Sequence, residues 1–592
     1  MFKIKRLFWL IITRGIAYSL VIIVTIIGLI VLDMGVSQSW YHPLIYPYQF
    51  LSAISCLISD CHQPGSSSIA EKGMVVTARS RASEVGQNIL EQGGNAVDAA
   101  VAVGYALAVV HPCCGNLGGG GFMVIHLDGE DIFLNFREKA PQAAFPELYQ
   151  QQGMSSRQGY SAVAIPGTVK GLNTALKRYG TMSREEVMQG AITLAREGFI
   201  LSEEDIQRFE RELPKWKEQP QIAEIFLKDG QFPYVAGERL VQKTLAQDLQ
   251  LIAEKGDVAF YQGEIAEKLV AASEKNGGLI TSDDLAGYTV TANSPVSCQY
   301  RGYEVRSAAL PGGGVTLCEL LNILEGYDLS EAEEVKRRHW MLSAMLYAFA
   351  DRNSYLGDPA FVDPPVERLL SPDYATFLRA KIGERAIPPE PLFPNPADEG
   401  QHTTHYSVRD RAGNAVSVTY TINSFFGAGV MAEGTGFFLN NEMDDFATAP
   451  GKPNQFGLVQ GKANQVEPGK RPLSSMSPTI VLKEGKPVLI TGSPGGPTII
   501  TTIMQVITNW IDRKMSLTEA VSAPRFHYQG LPNFVLTEPY ALKPSVVEGL
   551  WRLGYRVFPL IDWGAAESIL VEETQVQGVN DPRRRAGKAS GY

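Results

Sequence analysis

From residue 70 onward, apolar and polar positions recur with two different periods. Gly73-Met-Val-Val-Thr77 predicts a short strand, and Arg81–Gln92 carries apolar residues at helical spacing until Gly93-Gly94 stops it. Val97–Val110 is mostly Ala and Val, the composition of a small-residue helix buried on most sides. A glycine-dense loop, Gly115–Gly121, leads into strands predicted at Phe122–His126 and Ile132–Phe136. Residues 160–385 read as mostly helical with several charged faces, and Pro388–Gly400 has no periodicity, as a linker or surface loop would. A hairpin follows, His405–Val408 and Ala415–Thr421 turning through Asp410–Asn414. Further strands are predicted at Thr479–Leu482 and Pro487–Thr491, and an apolar helix from Thr498 to about Ile511 behind Gly492-Ser-Pro-Gly-Gly-Pro497. Strands and helices mix without a strict βαβ rhythm, which predicts α+β layers rather than a doubly wound parallel sheet.

The first 69 residues are patterned differently. Lys3, Lys5, Arg6 and Arg14 precede an uncharged, mostly apolar run, Gly15–Leu32, ended by Asp33. At 1.5 Å per residue the run spans ~27 Å, about one hydrocarbon core. A cleaved signal peptide has a shorter apolar region and a better cleavage site than Gly35-Val36-Ser37, so an uncleaved anchor is expected ahead of a cleaved signal. The next cation after Arg14 is Lys72, so the positive-inside rule places the N-terminus in the cytoplasm and the body on the periplasmic or other extracytoplasmic side. The expected organisation is a basic tip and single transmembrane helix over 1–33, a stalk over 34–69, and the body from 70. The stalk holds Pro43, Pro47 and Pro64-Gly65-Ser66-Ser67-Ser68, together with Cys56 and Cys61, for which a local disulfide and two unpaired thiols both remain open.

Composition narrows the function. At 592 residues the chain holds roughly four domain-sized units. With 45% hydrophobic and 20% charged residues it is not disordered. Lys and Arg total 53 against 63 Asp and Glu, and no basic stripe crosses the body, so a nucleic-acid partner is not expected. Six cysteines are too few for a disulfide scaffold.

Several motifs invite chemistry and are better explained without it. The four glycines 118–121 lack the Lys of a phosphate loop, and a helix precedes them where a dinucleotide fold needs a strand. Close backbone packing is the expectation. His402 and His405 have no convincing third ligand, so no metal site is expected. Cys113 and Cys114 are adjacent, a spacing that strains a disulfide, and read as small buried hydrophobes. Gly492–Gly496, just before an apolar helix, fits an oxyanion hole and an ordinary turn equally well. Thr403 opens a strand after the linker. Were the bond before it cut, it would carry a hydroxyl nucleophile and an α-amine of pKa about 7.7–8.0 to act as base; strand propensity alone also accounts for a threonine there.

Seven stretches, Gly93–Ala100, Gly115–Met123, Phe136–Pro141, Thr403–Ser407, Asn440–Phe446, Arg471–Pro478 and Gly492–Gly496, occur in an order that resembles the γ-glutamyltranspeptidase (glutathione hydrolase) family of N-terminal-nucleophile hydrolases, from about Ala70 to Tyr592. The resemblance implies a four-layer αββα sandwich and a proenzyme cut between His402 and Thr403, giving a large subunit, 70–402 with its N-terminal extension, and a small catalytic subunit, 403–592. It implies that Thr403 attacks the γ-carbonyl of glutathione or a related compound, assisted by Thr421, with the N–H groups of Gly495 and Gly496 at the oxyanion. Arg137, Ser474 and Ser475 would hold the substrate α-carboxylate, and Asn423, Glu442 and Asp445 the α-ammonium. Water or an amino acid or dipeptide would accept the γ-glutamyl group, and no cofactor is expected. Residues from Phe446 to about Gly461 resemble a lid loop in which Phe456 stands where some members have a gating tyrosine, so a hydroxyl bond from that position to Asn423 is lost. Other readings are a related amide acylase, a poly-γ-glutamate transpeptidase, or an uncleaved binding protein. Asp445 argues against an acylase, and intact Thr403, Thr421, Gly495 and Gly496 argue against an inactive fold.

Overall fold

A computed structural model describes residues 65–151, 153–389, 403–449, 454–560 and 562–592. Gly15–Leu32, Cys56, Cys61, most of the 388–400 linker and His402 lie outside them. Among the described residues no helix is long and apolar enough to cross a membrane.

Strand alternation organises the centre of the molecule. Along Gly120–Leu127, Met123 and Ile125 join one apolar cluster while Phe122 and Val124 join another, so both faces of the strand are buried. Seven strands form this sheet, in the order Lys588–Gly591, Met74–Thr77, Thr404–Arg409, Ala415–Thr421, Gly120–Leu127, Glu130–Phe136 and Thr291–Asn293. A second sheet of seven runs Ser66–Ala70, Val576–Asn580, Ser568–Val571, Lys486–Thr491, Thr479–Lys483, Tyr303–Ser307 and Val296–Tyr300. Every neighbouring pair in both is antiparallel.

The sheets stack face to face. Met74, Val76, Phe122 and Val124 of the first share a cluster with Val481, Leu489 and Ile490 of the second. Buried hydroxyls pin the two together. Ser417 Oγ accepts the Thr479 N–H at 3.0 Å and donates to the Thr491 carbonyl at 3.0 Å, and Ser407 donates to the Glu567 carbonyl at 2.8 Å. These pairings keep buried polar groups satisfied between the layers.

Helices cover the outer faces. Ala96–Val110 is buried at every position and packs on the Thr404–Arg409 and Ala415–Thr421 strands, as its small, apolar composition predicts. Asn95 caps it and Asp98 completes the capping box. Gly314–Leu324 covers the second sheet, and Thr498–Ile511 packs against it. The architecture is therefore α+β, two antiparallel sheets between helical layers.

The structure departs from the sequence reading in three places. The ordered body begins before residue 70: Ser66–Ala70, read as stalk, is a strand paired in register with Val576–Asn580. It is an exposed edge held by backbone bonds, so its serines carry no apolar alternation to announce it. Residues 291–307, read with the helical middle, supply three strands, one to the first sheet and two to the second. Cys113 and Cys114 are buried as expected but are bonded to each other within a tight turn, a correction to their reading as separate small hydrophobes. Cys298 and Cys318 form a second disulfide, and among the described residues no cysteine is free.

Candidate active site

The hairpin register sets the centre of the site. Thr404 pairs with Tyr420, His405 with Thr419 and Tyr406 with Val418, so extending the ladder by one residue sets Thr403 across from Thr421. Thr421 Oγ1 donates to Thr403 Oγ1 at 3.4 Å, while the Asn423 N–H donates to Thr421 Oγ1 at 2.8 Å. All three residues are buried. Asn423 reaches this position with φ +70°, a left-handed conformation that asparagine tolerates better than most residues. His405 behind them is fully buried between Thr419 Oγ1 at 2.9 Å and Ser407 Oγ at 3.1 Å, and burial lowers its pKa to about 3, so it is a neutral packing residue.

The glycine-dense loop lets the backbone approach this hairpin. A Cβ on Gly119 would lie 1.9 Å from the Thr421 carbonyl oxygen, and one on Gly118 2.2 Å from that of Phe438. Close packing is thus what these glycines do. Gly118 also accepts from Asn440 Nδ2 at 2.8 Å, which ties the following acidic turn, Glu442–Asp445, to the same loop.

A narrow cavity opens beside Thr403. It is lined by nine of the ten sequence-expected site residues, Thr403, Thr421, Asn423, Gly496, Arg137, Glu442, Asp445, Ser474 and Ser475. Gly495 lies one residue away in the turn before Thr498–Ile511, at φ +131°, followed by Gly496 at φ +55°. Both carbonyls are used by the helix start, Gly495 accepting from Thr498 N and Gly496 from Ile499 N. The free volume is about 20 Å³, room for about one water molecule.

Four charged side chains line the cavity, Arg137, Arg352, Glu442 and Asp445. Arg137, immediately after the strand Glu130–Phe136, is fully buried. Its Nη1 pairs with Glu442, its Nη2 with Asp445, and its Nε donates to the Pro472 carbonyl at 3.3 Å. Glu138 lies 3.4 Å from Nη1. Burial opposes the charge on Arg137, but the three carboxylates outweigh it and raise its pKa. Burial raises the carboxyls of Glu442 and Asp445, with Arg137 opposing, and pushes Glu138 to about 7. Asp444, by contrast, faces away from the arginine and is held by Ser156 Oγ at 2.6 Å and the Gln455 N–H at 2.9 Å.

Two charged groups here were not foreseen as site residues. Glu138 adjoins Arg137 in sequence, and its neighbour was the available signal. Arg352, on the helix Glu334–Tyr355, lines the cavity from more than 200 positions away, and no local pattern marks it. Phe456 lines the cavity too, and the contact between its loop and the Asn423 region runs through its neighbour: Ser424 Oγ donates to Gln455 Oε1 at 2.8 Å. His111 and the sulfurs of Cys113 and Cys114 lie within 4.8 Å of one another, but the sulfurs are bonded together and present no thiolate pair to a metal.

Two stacked antiparallel sheets between helical layers, with a threonine heading a central strand and lining the cavity, define an N-terminal-nucleophile hydrolase fold. The solved cephalosporin acylase from Bacillus halodurans superposes with a TM-score of 0.81 at 29% identity, covering 90% of this chain and 98% of that one. The glutathione hydrolase proenzyme of Pseudomonas sp. (strain A14) is 48% identical over 564 residues, 91% of this chain and 98% of its own. That of Escherichia coli (strain K12) is 44% identical over 539 residues, 88% and 92% of the two chains. The sequence profile for gamma-glutamyltranspeptidase matches residues 82–592, and the chain belongs to that family.

Proposed function

We propose that this protein is a glutathione hydrolase and γ-glutamyltransferase, matured from a proenzyme by cleavage before Thr403. The observation that carries the reading is the cross-strand pair Thr403–Thr421 lining a cavity that also holds one guanidinium between two carboxylates. Those charges suit a zwitterionic amino-acid head, with the scissile carbonyl presented to the threonine. In maturation Thr403 Oγ attacks the His402 carbonyl, the C–N bond breaks as the proton passes from Oγ to the α-nitrogen, and water then hydrolyses the resulting ester, releasing the His402 carboxylate and restoring the Thr403 hydroxyl beside its new α-amine. In turnover the amine takes the Thr403 proton as Oγ attacks the γ-carbonyl. Gly495 and Gly496, at the start of a helix, offer their N–H groups to the oxyanion. The leaving amine departs protonated, and water or an amino acid or dipeptide then takes the γ-glutamyl group from the threonyl ester. Arg137, Ser474 and Ser475 receive the α-carboxylate, and Asn423, Glu442 and Asp445 the α-ammonium, which requires the substrate to exchange with pairs that Arg137 makes within the protein.

The similarity to a cephalosporin acylase favours a second reading, hydrolysis of an amide whose acyl part lacks an ammonium. Two acids at the head of the cavity weigh against it, since such a group leaves them without a cation to bind. Residues 1–33 support a location at the membrane, with the body tethered outside the cytoplasm by one helix. The first test is Thr403→Ala on a denaturing gel. One full-length band and no release of glutamate from glutathione are expected; two bands would remove Thr403 as the processing nucleophile.

A further inference from the structure

We infer that Arg352 is a second cationic contact of the donor subsite, binding the α-carboxylate of the γ-glutamyl group together with Ser475. This rests on the donor-site reading above. Arg352 lines the same cavity as Thr403 and Arg137 and is 1% exposed. A guanidinium buried so completely normally sits against carboxylates. Here the carboxylate whose charge it feels is Asp445, which is bonded to Arg137, and Arg352's own bonds go to neutral oxygens: Nη1 donates to Asn353 Oδ1 at 3.1 Å, Nη2 donates to Ser475 Oγ at 3.2 Å, and Nε is buried without a partner.

Arg137 is the contrast. Both of its Nη atoms are held by Glu442 and Asp445, and its Nε by the Pro472 carbonyl. Every edge of that fork is committed to an oxygen of the chain itself. An incoming carboxylate that relied on Arg137 alone would have to break a buried ion pair for each bond it made. At Arg352 no donor is bonded to a carboxylate: Nη1 and Nη2 go to neutral side-chain oxygens and Nε has no partner. Ser475 accepts from Nη2, and a hydroxyl that accepts from a guanidinium still has its own proton to give. Arg352 Nε–H and Ser475 O–H therefore form a pair of donors for the two oxygens of one carboxylate. The charge count agrees. Arg137 faces Glu138, Glu442 and Asp445, three acids to one cation, and Arg352 supplies the second cation that lets an α-carboxylate enter this wall.

The test uses two donors on the full-length, matured enzyme: γ-glutamyl-p-nitroanilide, and 4-aminobutyryl-p-nitroanilide, which lacks only the α-carboxylate. Where the second turns over too slowly, inhibition constants of glutamate and 4-aminobutyrate give the same ratio. Arg352→Met should raise KM for the γ-glutamyl donor about 10- to 100-fold with a smaller change in kcat, the usual scale for a lost hydrogen bond to a charged group. It should scarcely alter the 4-aminobutyryl donor, so the preference between the two shrinks by that factor. Arg352→Lys should recover part of it, since it keeps the charge and loses the fork. An equal loss on both donors, or an unchanged γ-glutamyl KM, overturns the proposal. Arg137→Met is run alongside. If it reduces the preference and Arg352→Met does not, the donor site stands and Arg352 is removed from it; if neither does, the donor-site reading itself fails. Two subunit bands report correct folding, and should Arg352→Met not mature, Arg352→Lys and Ser475→Ala carry the same ratio test.

Discussion

Replacing Asp445 with Asn separates the two charge roles that the cavity combines. Asp445 is 9% exposed and bonded through Oδ2 to Arg137 Nη2, and the isosteric amide keeps an acceptor for that nitrogen while removing the negative charge. On the proposed reading the substrate ammonium then loses one of its two anions. Truncating one member of a buried, hydrogen-bonded charge pair costs about 2–5 kcal/mol in binding, or ~30- to 5,000-fold. Glu442 remains, and the slight exposure of Asp445 admits water, so the lower part of that range applies: kcat/KM for γ-glutamyl-p-nitroanilide should fall about 100-fold, chiefly through KM. Glutaryl-p-nitroanilide, which keeps the carboxylate and lacks the ammonium, should change less than about threefold, because the lost charge has nothing to bind. The assay is nitroaniline release from both donors by wild type and variant, with subunit formation checked by gel. A matching 100-fold fall on the glutaryl donor would refute the reasoning, since Asp445 would then serve only to hold Arg137. The same pair of donors decides between transpeptidase and acylase, because an acylase would prefer the glutaryl compound before any mutation.

Other expectations follow from the same geometry. Gly495→Ala places a Cβ at φ +131° and 2.5 Å from Thr498 Oγ1, so the turn must move; with the oxyanion donors displaced, kcat should fall about 100- to 1,000-fold with KM little changed, and an effect on KM alone would count against the oxyanion role. His405 has its pKa lowered to about 3 by burial against about 6.5 unfolded, so the unfolded chain binds the extra proton and stability is lost as pH falls below 6.5, by about 1.4 kcal/mol per pH unit. Carboxyls with raised pKa, such as Glu138 at about 7, act in the opposite sense, so the measurement is the difference: His405→Gln should show a shallower fall in unfolding midpoint between pH 7 and pH 5 than wild type, and identical slopes would exclude the histidine. For the N-terminus, the large subunit should start at or near Met1 and stay with membranes through carbonate washing, whereas a start near Gln38 would show Gly15–Leu32 to be a cleaved signal.

Local patterning by itself made the hairpin and the glycine loop legible, whereas Thr421, Arg137, Asn423, Glu442, Asp445, Ser474 and Ser475 were legible only through the family resemblance. The alternation in Thr404–Arg409 and Ala415–Thr421 with Gly413-Asn414 between them specifies a hairpin, and the hairpin register by itself brings Thr403 and Thr421 together. The glycine run 118–121 announces close backbone approach because no other residue fits there. Residues 492–496 by themselves fit a turn and an oxyanion hole equally well, and the family resemblance together with the place of Gly496 in the cavity of Thr403 favours the second. Arg352 and Glu138 were missed because their significance is purely spatial: a polar residue near the end of a mostly buried helix carries no mark of the cavity it meets. The Cys113–Cys114 bond was missed because spacing argues against it and only the turn after His111 brings the two sulfurs round. Ser66–Ala70 joins its sheet chiefly through backbone pairing, with only Ala70 buried in the core, which leaves little signature in side-chain polarity.

The hydrogen-bond order around Thr403 bears on why cleavage and catalysis are linked. Thr421 Oγ1 accepts from the Asn423 N–H, so its proton is left to donate toward Thr403 Oγ1. A group that donates to the nucleophile can stabilise its developing charge and cannot act as its base. The ionisable side chains lining the cavity are Arg137, Arg352, Glu442 and Asp445. Both acids are bonded to Arg137 and, on the proposed reading, receive the substrate head, while the guanidiniums stay protonated at neutral pH. His405, two residues after Thr403, has its ring nitrogens against Thr419 and Ser407 on the strand. Among the described residues no other base lines the cavity, and on the proposed reading the group that takes the proton of Thr403 is its own α-nitrogen, which as an amide is not basic. Only after the bond from His402 is cut does that nitrogen become an amine with a pKa of about 7.7–8.0, able to take the proton near neutral pH. In such a site the uncut chain has the nucleophile, the polarising hydroxyl and the charged head of the pocket, and lacks only the base for turnover.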